Sequence, residues 1–168
     1  NGDIHLDFAN RVAQIASWPI QPAWNPYVNN PGADDGASDK DSGHGTHVSG
    51  SAAGNGARSS GLYKGIAYGA TLNFQAVEQY VDMNSLGQAL IGPDGYYLAG
   101  IPGDLNTLFN QAYDWGARVH SNSWGGGSAG GYNINSYNSD AFMWNHKDMT
   151  ILFAAGNEGI DGNSDGIV

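Results

Sequence analysis

A three-layer α/β/α fold around a mostly parallel sheet, present in incomplete form, is predicted by three observations. Short apolar strands alternate with helical patterns through the second half of the chain, in the order strand, helix, strand, helix, strand. Two of these strands run into glycine-rich turns, Ser123-Trp124-Gly125-Gly126 and Gly156-Asn157-Glu158-Gly159. In a parallel sheet both turns belong on one rim, outside the carboxyl ends of the strands, where such folds bind ligands. Finally, 168 residues suffice for one domain with a sizeable core or for part of a larger one, and residues 1–168 read as a single partial domain.

Taken in order, Asn1 to Val12 sets Ile4, Leu6, Phe8 and Val12 among polar residues and reads as an irregular lead into a strand or turn. Residues 13–43 carry Pro19, Pro22, Pro26 and Pro31, then Asp34, Asp35, Asp39 and Asp41, and read as a long acidic surface loop. A helix is expected from about His44 to Gly54, then loop from Gly56 to Gly69. Leu72, Phe74, Ala76 and Val77 mark a strand within Ala70 to Val81, and residues 82–102 read as a loop bearing Gly and Tyr. Leu105, Leu108, Phe109 and Ala112 fall at i, i+3, i+4 and i+7, with Asp104 at the start and Gly116 as the stop. That is a helix burying one face. Arg118 to Trp124 is a strand, residues 136–147 a second amphipathic helix using Tyr137, Ala141 and Phe142, and Thr150 to Ala155 a fully apolar strand.

Composition narrows the function classes. Sixteen Asp and Glu against six Lys and Arg give a net charge of -10, which argues against nucleic acid and against an anionic membrane surface. Cysteine is absent, so neither a disulfide framework nor thiol chemistry is available. The longest strongly apolar run, Ile151 to Ala155, is far short of the roughly 20 residues of a membrane span. A start at Asn1-Gly2 without methionine is expected of a processed or internal piece. Glycine at 26 positions suits a backbone that must approach something closely, while 40% hydrophobic residues can still supply a core.

The stretch Ser42-Gly43-His44-Gly45-Thr46-His47-Val48-Ser49-Gly50 carries the candidate chemistry. A histidine flanked by glycines and followed by small residues sits at the entry of a tightly packed helix, where its imidazole can take a proton from a nucleophile. His44 and His47 are spaced i, i+3 with no Glu between, unlike the i, i+4 pair of a zinc protease. Taken alone, the stretch is equally a glycine-rich helix entry with an incidental histidine.

Three segments in order, Gly43-His44-Gly45-Thr46-His47-Val48, Ser121-Asn122-Ser123-Trp124-Gly125 and Phe153-Ala154-Ala155-Gly156-Asn157-Glu158-Gly159, resemble the subtilisin family of serine endopeptidases. Gln111 to Gly125 and Asp148 to Gly159 are most similar to its branch of large oxidant-stable alkaline proteases. The resemblance covers most of Gly2 to Gly159 and implies that His44 is the base of a catalytic triad and that Asn157 donates to the oxyanion of the tetrahedral intermediate. It implies that Ser123, Trp124 and Gly125 pair with an extended peptide and form one wall of its pocket, and that Ala154, Ala155 and Gly156 form the other. Gly100 is implied as a second pairing edge. Extended peptides join a sheet edge through main-chain hydrogen bonds, so a rim of this kind suits glycine. The family more often has Leu where Trp124 stands.

The family's triad runs Asp, His, Ser. By the same match the Asp falls before Asn1, and the Ser belongs to a later Gly-Thr-Ser-Met-Ala-type segment that this sequence does not contain. The chain is therefore expected to carry the base, the oxyanion donor and part of the cleft, and to be inactive alone. Ser123 lies in the binding segment and is not the expected nucleophile. Asp7 matches a position that binds calcium in some relatives, but the usual partner loop is not recognisable in residues 55–65. Metal is left unassigned: the chemistry requires no cofactor, and a structural calcium is permitted. The expected partners are polypeptide substrates and the remaining parts of its own catalytic domain, and the expected location is secreted. A non-catalytic peptide-binding or scaffold domain of the same fold is the main rival. A carbohydrate-binding module, suggested by Tyr, Trp and Asn, is a distant third.

Overall fold

A computed structural model of the chain describes residues 4–127 and 130–157. Two parallel strand pairs form its frame. β1 (Val12–Ser17) pairs with β2 (Leu72–Ala76), and β5 (Val119–Asn122) pairs with β6 (Thr150–Phe153). Between them in sequence, β3 (Gln79–Val81) and β4 (Gly95–Tyr97) make an antiparallel pair. The helices are α1 (His44–Ala53), α2 (Ser85–Leu90), α3 (Asn106–Asp114) and α4 (Ile134–Asn145). This is the predicted α/β class with parallel pairing.

Neighbouring residues of β2 show how the layers form. Phe74 reaches Gly45 in α1, where an added Cβ would stand 3.0 Å from Phe74 Cζ. Gln75, the next residue, donates to Leu108 O of α3 at 3.1 Å. Successive strand residues point to opposite faces, so α1 and α3 cover opposite sides of β2.

Two apolar clusters hold the fold. Leu105, Leu108 and Phe109 of the α3 segment pack with Phe142, Met149 and Ile151. Ile20, Val28, Val81, Met83 and Ala99 form a separate cluster beneath the β3–β4 pair. The α3 face is the one its spacing predicts. Asp104 opens that helix by accepting from the Asn106 N–H at 3.0 Å, and Gly116 ends it at φ 87°.

Four expectations need correction. Residues 13–43 are not simply a loop, since most of β1 lies there. Its Val-Ala-Gln-Ile-Ala-Ser run alternates too weakly in polarity to stand out beside the prolines, and a bulge between Val12 and Gln14 breaks its period. The stretch 82–102 likewise contains α2 and β4. Asn84 caps α2 by accepting from the Leu86 and Gly87 N–H groups. Gly87 looks like a breaker in the sequence, but an added Cβ there would meet Tyr27 O at 2.1 Å, so the glycine is a packing requirement. In α4 the buried residues are Asn138, Ser139 and Phe142, while Tyr137 is 58% exposed. In β6 only Ile151 is buried, because no described strand covers its outer edge.

Candidate active site

The histidine of the glycine-rich stretch is the first residue of α1. Gly43 before it adopts φ 69°, a left-handed conformation that favours glycine, and this turns the chain into the helix. Two side chains each accept from one free N–H group of the first turn. Ser42 Oγ accepts from the His44 N–H at 3.2 Å, and Asp39 Oδ2 accepts from the Thr46 N–H at 2.8 Å. The far end of α1 is tied down as well. The Arg11 guanidinium donates to Ala53 O at 2.7 Å, to Ala70 O at 2.8 Å and to Asp7 O, placing a cation at the helix C-terminus. Gly65 backs onto the same end, where an added Cβ would lie 2.6 Å from Ala53 N.

The strand ends supply the other side. β5 and β6 run parallel, so Ser123-Trp124-Gly125 and Ala154-Ala155-Gly156-Asn157 emerge on one rim, as expected. The Ala154 N–H donates to Asn122 O at 3.0 Å, and the Trp124 and Phe153 rings meet edge to face at 5.3 Å. Those contacts hold the two strand ends together. Gly156 has φ 96°, which turns the chain towards Asn157.

These elements face one another across an open groove of about 920 Å³, lined by β2 on one side and β5 on the other, with α1 beside them. His44, Ser123, Trp124, Gly125 and Asn157 all line it. Ala154, Ala155 and Gly156 carry the chain from β6 to that lip without lining the groove. Gly100 stands apart. Its N–H donates to Val77 O at 2.9 Å, and an added Cβ would lie 2.4 Å from Trp18 O, so the glycine is a packing site at the end of β2. Its amide is already used, while Tyr96 and Leu98 nearby do line the groove.

Glu78 was missed in the sequence although it directly follows the Val77 end of the expected strand. It lines the groove among acidic neighbours. Burial pushes its carboxyl above the usual range, Asp41 and Asp39 push it further, and the charge of His44 opposes them. His120, also in the groove, is driven by burial down to about 4.

Asp7, at the position that matches a calcium-binding residue of some relatives, is engaged in the fold, with Oδ1 accepting from the Arg58 N–H at 2.7 Å. Among the described residues no three His, Cys, Asp or Glu side chains converge to hold a metal. Among the same residues no helix is long and apolar enough to cross a membrane.

The groove thus brings an imidazole, a carboxamide and strand-end backbone to one opening. The subtilase family (Peptidase S8) matches residues 4–168. The serine protease/ABC transporter B family protein tagB of Dictyostelium discoideum is 38% identical over 122 residues, covering 68% of this chain and 6% of that protein. The corresponding tagD protein of the same organism is 37% identical over 123 residues, with the same 68% and 6%. The chain thus spans 6% of the length of these curated relatives. No solved structure matches.

Proposed function

The chain belongs to the subtilase family, and from that premise we propose that it forms the base and oxyanion side of a serine endopeptidase centre. One observation carries the reading: His44 at the start of α1 and Asn157 beyond β6 line a single groove together with Ser123, Trp124 and Gly125. In the proposed reaction a serine hydroxyl attacks the peptide carbonyl and His44 takes its proton, later delivering it to the leaving amine. The carbonyl oxygen becomes an oxyanion, and the Asn157 carboxamide donates to it. A fixed neutral donor of this kind acts where charge exists only in the transition state. Ser123 to Gly125 pair with the extended substrate, and Ala154 to Gly156 carry Asn157 to the facing lip.

The nucleophile and the carboxylate that orients His44 are proposed to come from polypeptide outside these 168 residues. The chain alone is then inactive. Secretion, and a place nearest the oxidant-stable alkaline branch, complete the proposal; Gln111 to Gly125 and Asp148 to Gly159 support the branch. A non-catalytic peptide-binding or scaffold domain of the same fold is the second reading.

The test is active-site labelling with a fluorophosphonate. The isolated chain should remain unlabelled, and stoichiometric labelling would overturn the division of the centre. In the full-length parent protein, His44→Ala should abolish labelling. Asn157→Leu should lower kcat by roughly 100–1,000-fold with little change in KM, the loss associated with one oxyanion donor in a member of this family. A parent protein that never labels would favour the scaffold.

A further inference from the structure

We propose that the outer face of α4 is a carbohydrate subsite, which stacks a linear chain of neutral pyranose rings on Tyr137 and Trp144. The helix is built the wrong way round for one that only covers a core. Beside Phe142, its buried residues are Asn138, whose Nδ2 donates to Asp104 Oδ1 at 3.0 Å, and Ser139, whose Oγ donates to Asn135 O at 2.9 Å. Its two largest side chains point outward, Tyr137 58% and Trp144 73% exposed. A solvated helix face is ordinarily polar, and apolar residues scattered singly over a surface need no explanation. Here they converge. Tyr132, Tyr137 and Trp144 line one open depression of about 410 Å³ together with Asp140, Ala141 and Asn145. It shares no lining residue with the groove of His44 and Asn157.

Tyr137, Ala141 and Trp144 are spaced i, i+4 and i+7, so they follow one another along one face of α4. At a rise of about 1.5 Å per residue, the two aromatic side chains are anchored about 10.5 Å apart along the helix. That is the span of two pyranose rings joined through equatorial oxygens, as in a β-1,4-linked glucan. Ala141 between them is small and leaves the depression open. Such a sugar has flat faces of axial C–H bonds, which rest on the negative face of an aromatic ring, and a rim of hydroxyls that need donors and acceptors. The depression supplies both. The Tyr132 hydroxyl donates to Asp140 Oδ2 at 2.8 Å and fixes that carboxylate. Asp140 Oδ1 and the Asn145 carboxamide have no hydrogen-bond partner among the described residues, so they are available to hydroxyls.

Charge selects among the ligands that could stack there. A net charge of -10 repels uronic and sulfated sugars, so the rings are neutral. A cationic peptide is disfavoured as well, because Lys147 Nζ already stands 3.5 Å from the Trp144 ring centroid and a second cation on that ring would meet like charge. Lys147 does not line the depression although Trp144 does, so the ammonium covers the ring from its other side. The sugar meets the open face. This inference concerns the outer surface of α4 and does not rest on the peptidase reading.

The test titrates the full-length parent protein with cellohexaose, followed by calorimetry, and with maltohexaose, whose α-linkages curl the chain and break the spacing. Cellohexaose should bind saturably, and maltohexaose at least ~10-fold more weakly. Trp144→Ala and Tyr137→Ala, at exposed positions that leave the fold intact, should each weaken cellohexaose by ~10-fold or more, the loss of one aromatic anchor. Trp144→Phe should restore most of that loss. Tyr63→Ala, at a ring 74% exposed and outside the depression, should leave binding unchanged. No saturable binding of cellohexaose, equal binding of maltohexaose, or binding that survives both alanine variants would overturn the proposal. Displacement of the sugar by tetralysine would overturn it too, by assigning the depression to a cation.

Discussion

His120 Nε2 stands 2.9 Å from Gln75 Oε1 and donates to it across the space between β5 and β2. The direction follows from Gln75 Nε2, which is occupied as a donor to Leu108 O at 3.1 Å and to Gln111 Oε1 at 2.7 Å. His120 thus bridges the two parallel pairs as a neutral imidazole, its edge meeting the Phe109 ring at 5.2 Å.

Acid should weaken this bridge first. Burial holds His120 at about 4 in the fold, partly offset by the Asn122 side chain, against 6.5 in the unfolded chain. The unfolded state therefore binds the proton first as pH falls. Stability from this group is complete above about 6.5 and declines towards 4, by at most ~3 kcal/mol. Urea midpoints measured from pH 7.5 to 4.5 should show the decline, and His120→Gln should flatten it.

Gly100→Ala should destabilise the chain by roughly 2–3 kcal/mol, because the new methyl would overlap backbone that cannot withdraw cheaply. Trp18 O lies 2.4 Å from that position and Val77 O 2.9 Å. Chemical denaturation of the variant checks it, and a loss under 0.5 kcal/mol would count against the packing role.

Phe109 is fully buried and touches His120 and Phe142, whereas Tyr137 on α4 is 58% exposed. Phe109→Ala should cost about 3–5 kcal/mol. Tyr137→Ala should stay within about 0.5 kcal/mol. Comparable losses in the two variants would contradict the observed α4 face.

Asp39 caps α1 and also raises Glu78. Asp39→Ala should lose about 1 kcal/mol of stability. In the same variant the Glu78 carboxyl should titrate at lower pH than in the unmodified chain, as followed by NMR. An unmoved Glu78 would show that Asp39 and Glu78 do not share a field.

The legible parts of the sequence were those where a local pattern and the tertiary demand coincide. Leu105, Leu108, Phe109 and Ala112 repeat at helical spacing because that face is buried, and the glycine-flanked His44 marks the entry of α1. The two glycine-rich strand ends could be placed on one rim because parallel pairing dictates it. The misses arose where partners distant in sequence decide. β1 is a strand only because β2 lies beside it, and a glycine stands at 87 inside α2 because Tyr27 leaves no room for a side chain. Glu78 escaped notice because its environment is made by Asp39, Asp41 and His44, residues some forty positions earlier. Gly100 could be expected at a substrate edge by motif, but only coordinates show its amide spent on Val77.

The cluster under β3 and β4 shares no residue with the one around Phe109. Disturbance at Met83 or Val28 is therefore absorbed within its own neighbourhood, while the lip bearing Trp124 and Asn157 draws its rigidity from elsewhere. Such compartmentation confines a repacking of the hairpin's core to its own side, and only the residues it lends to the groove, Glu78, Tyr96 and Leu98, connect it with the chemical groups.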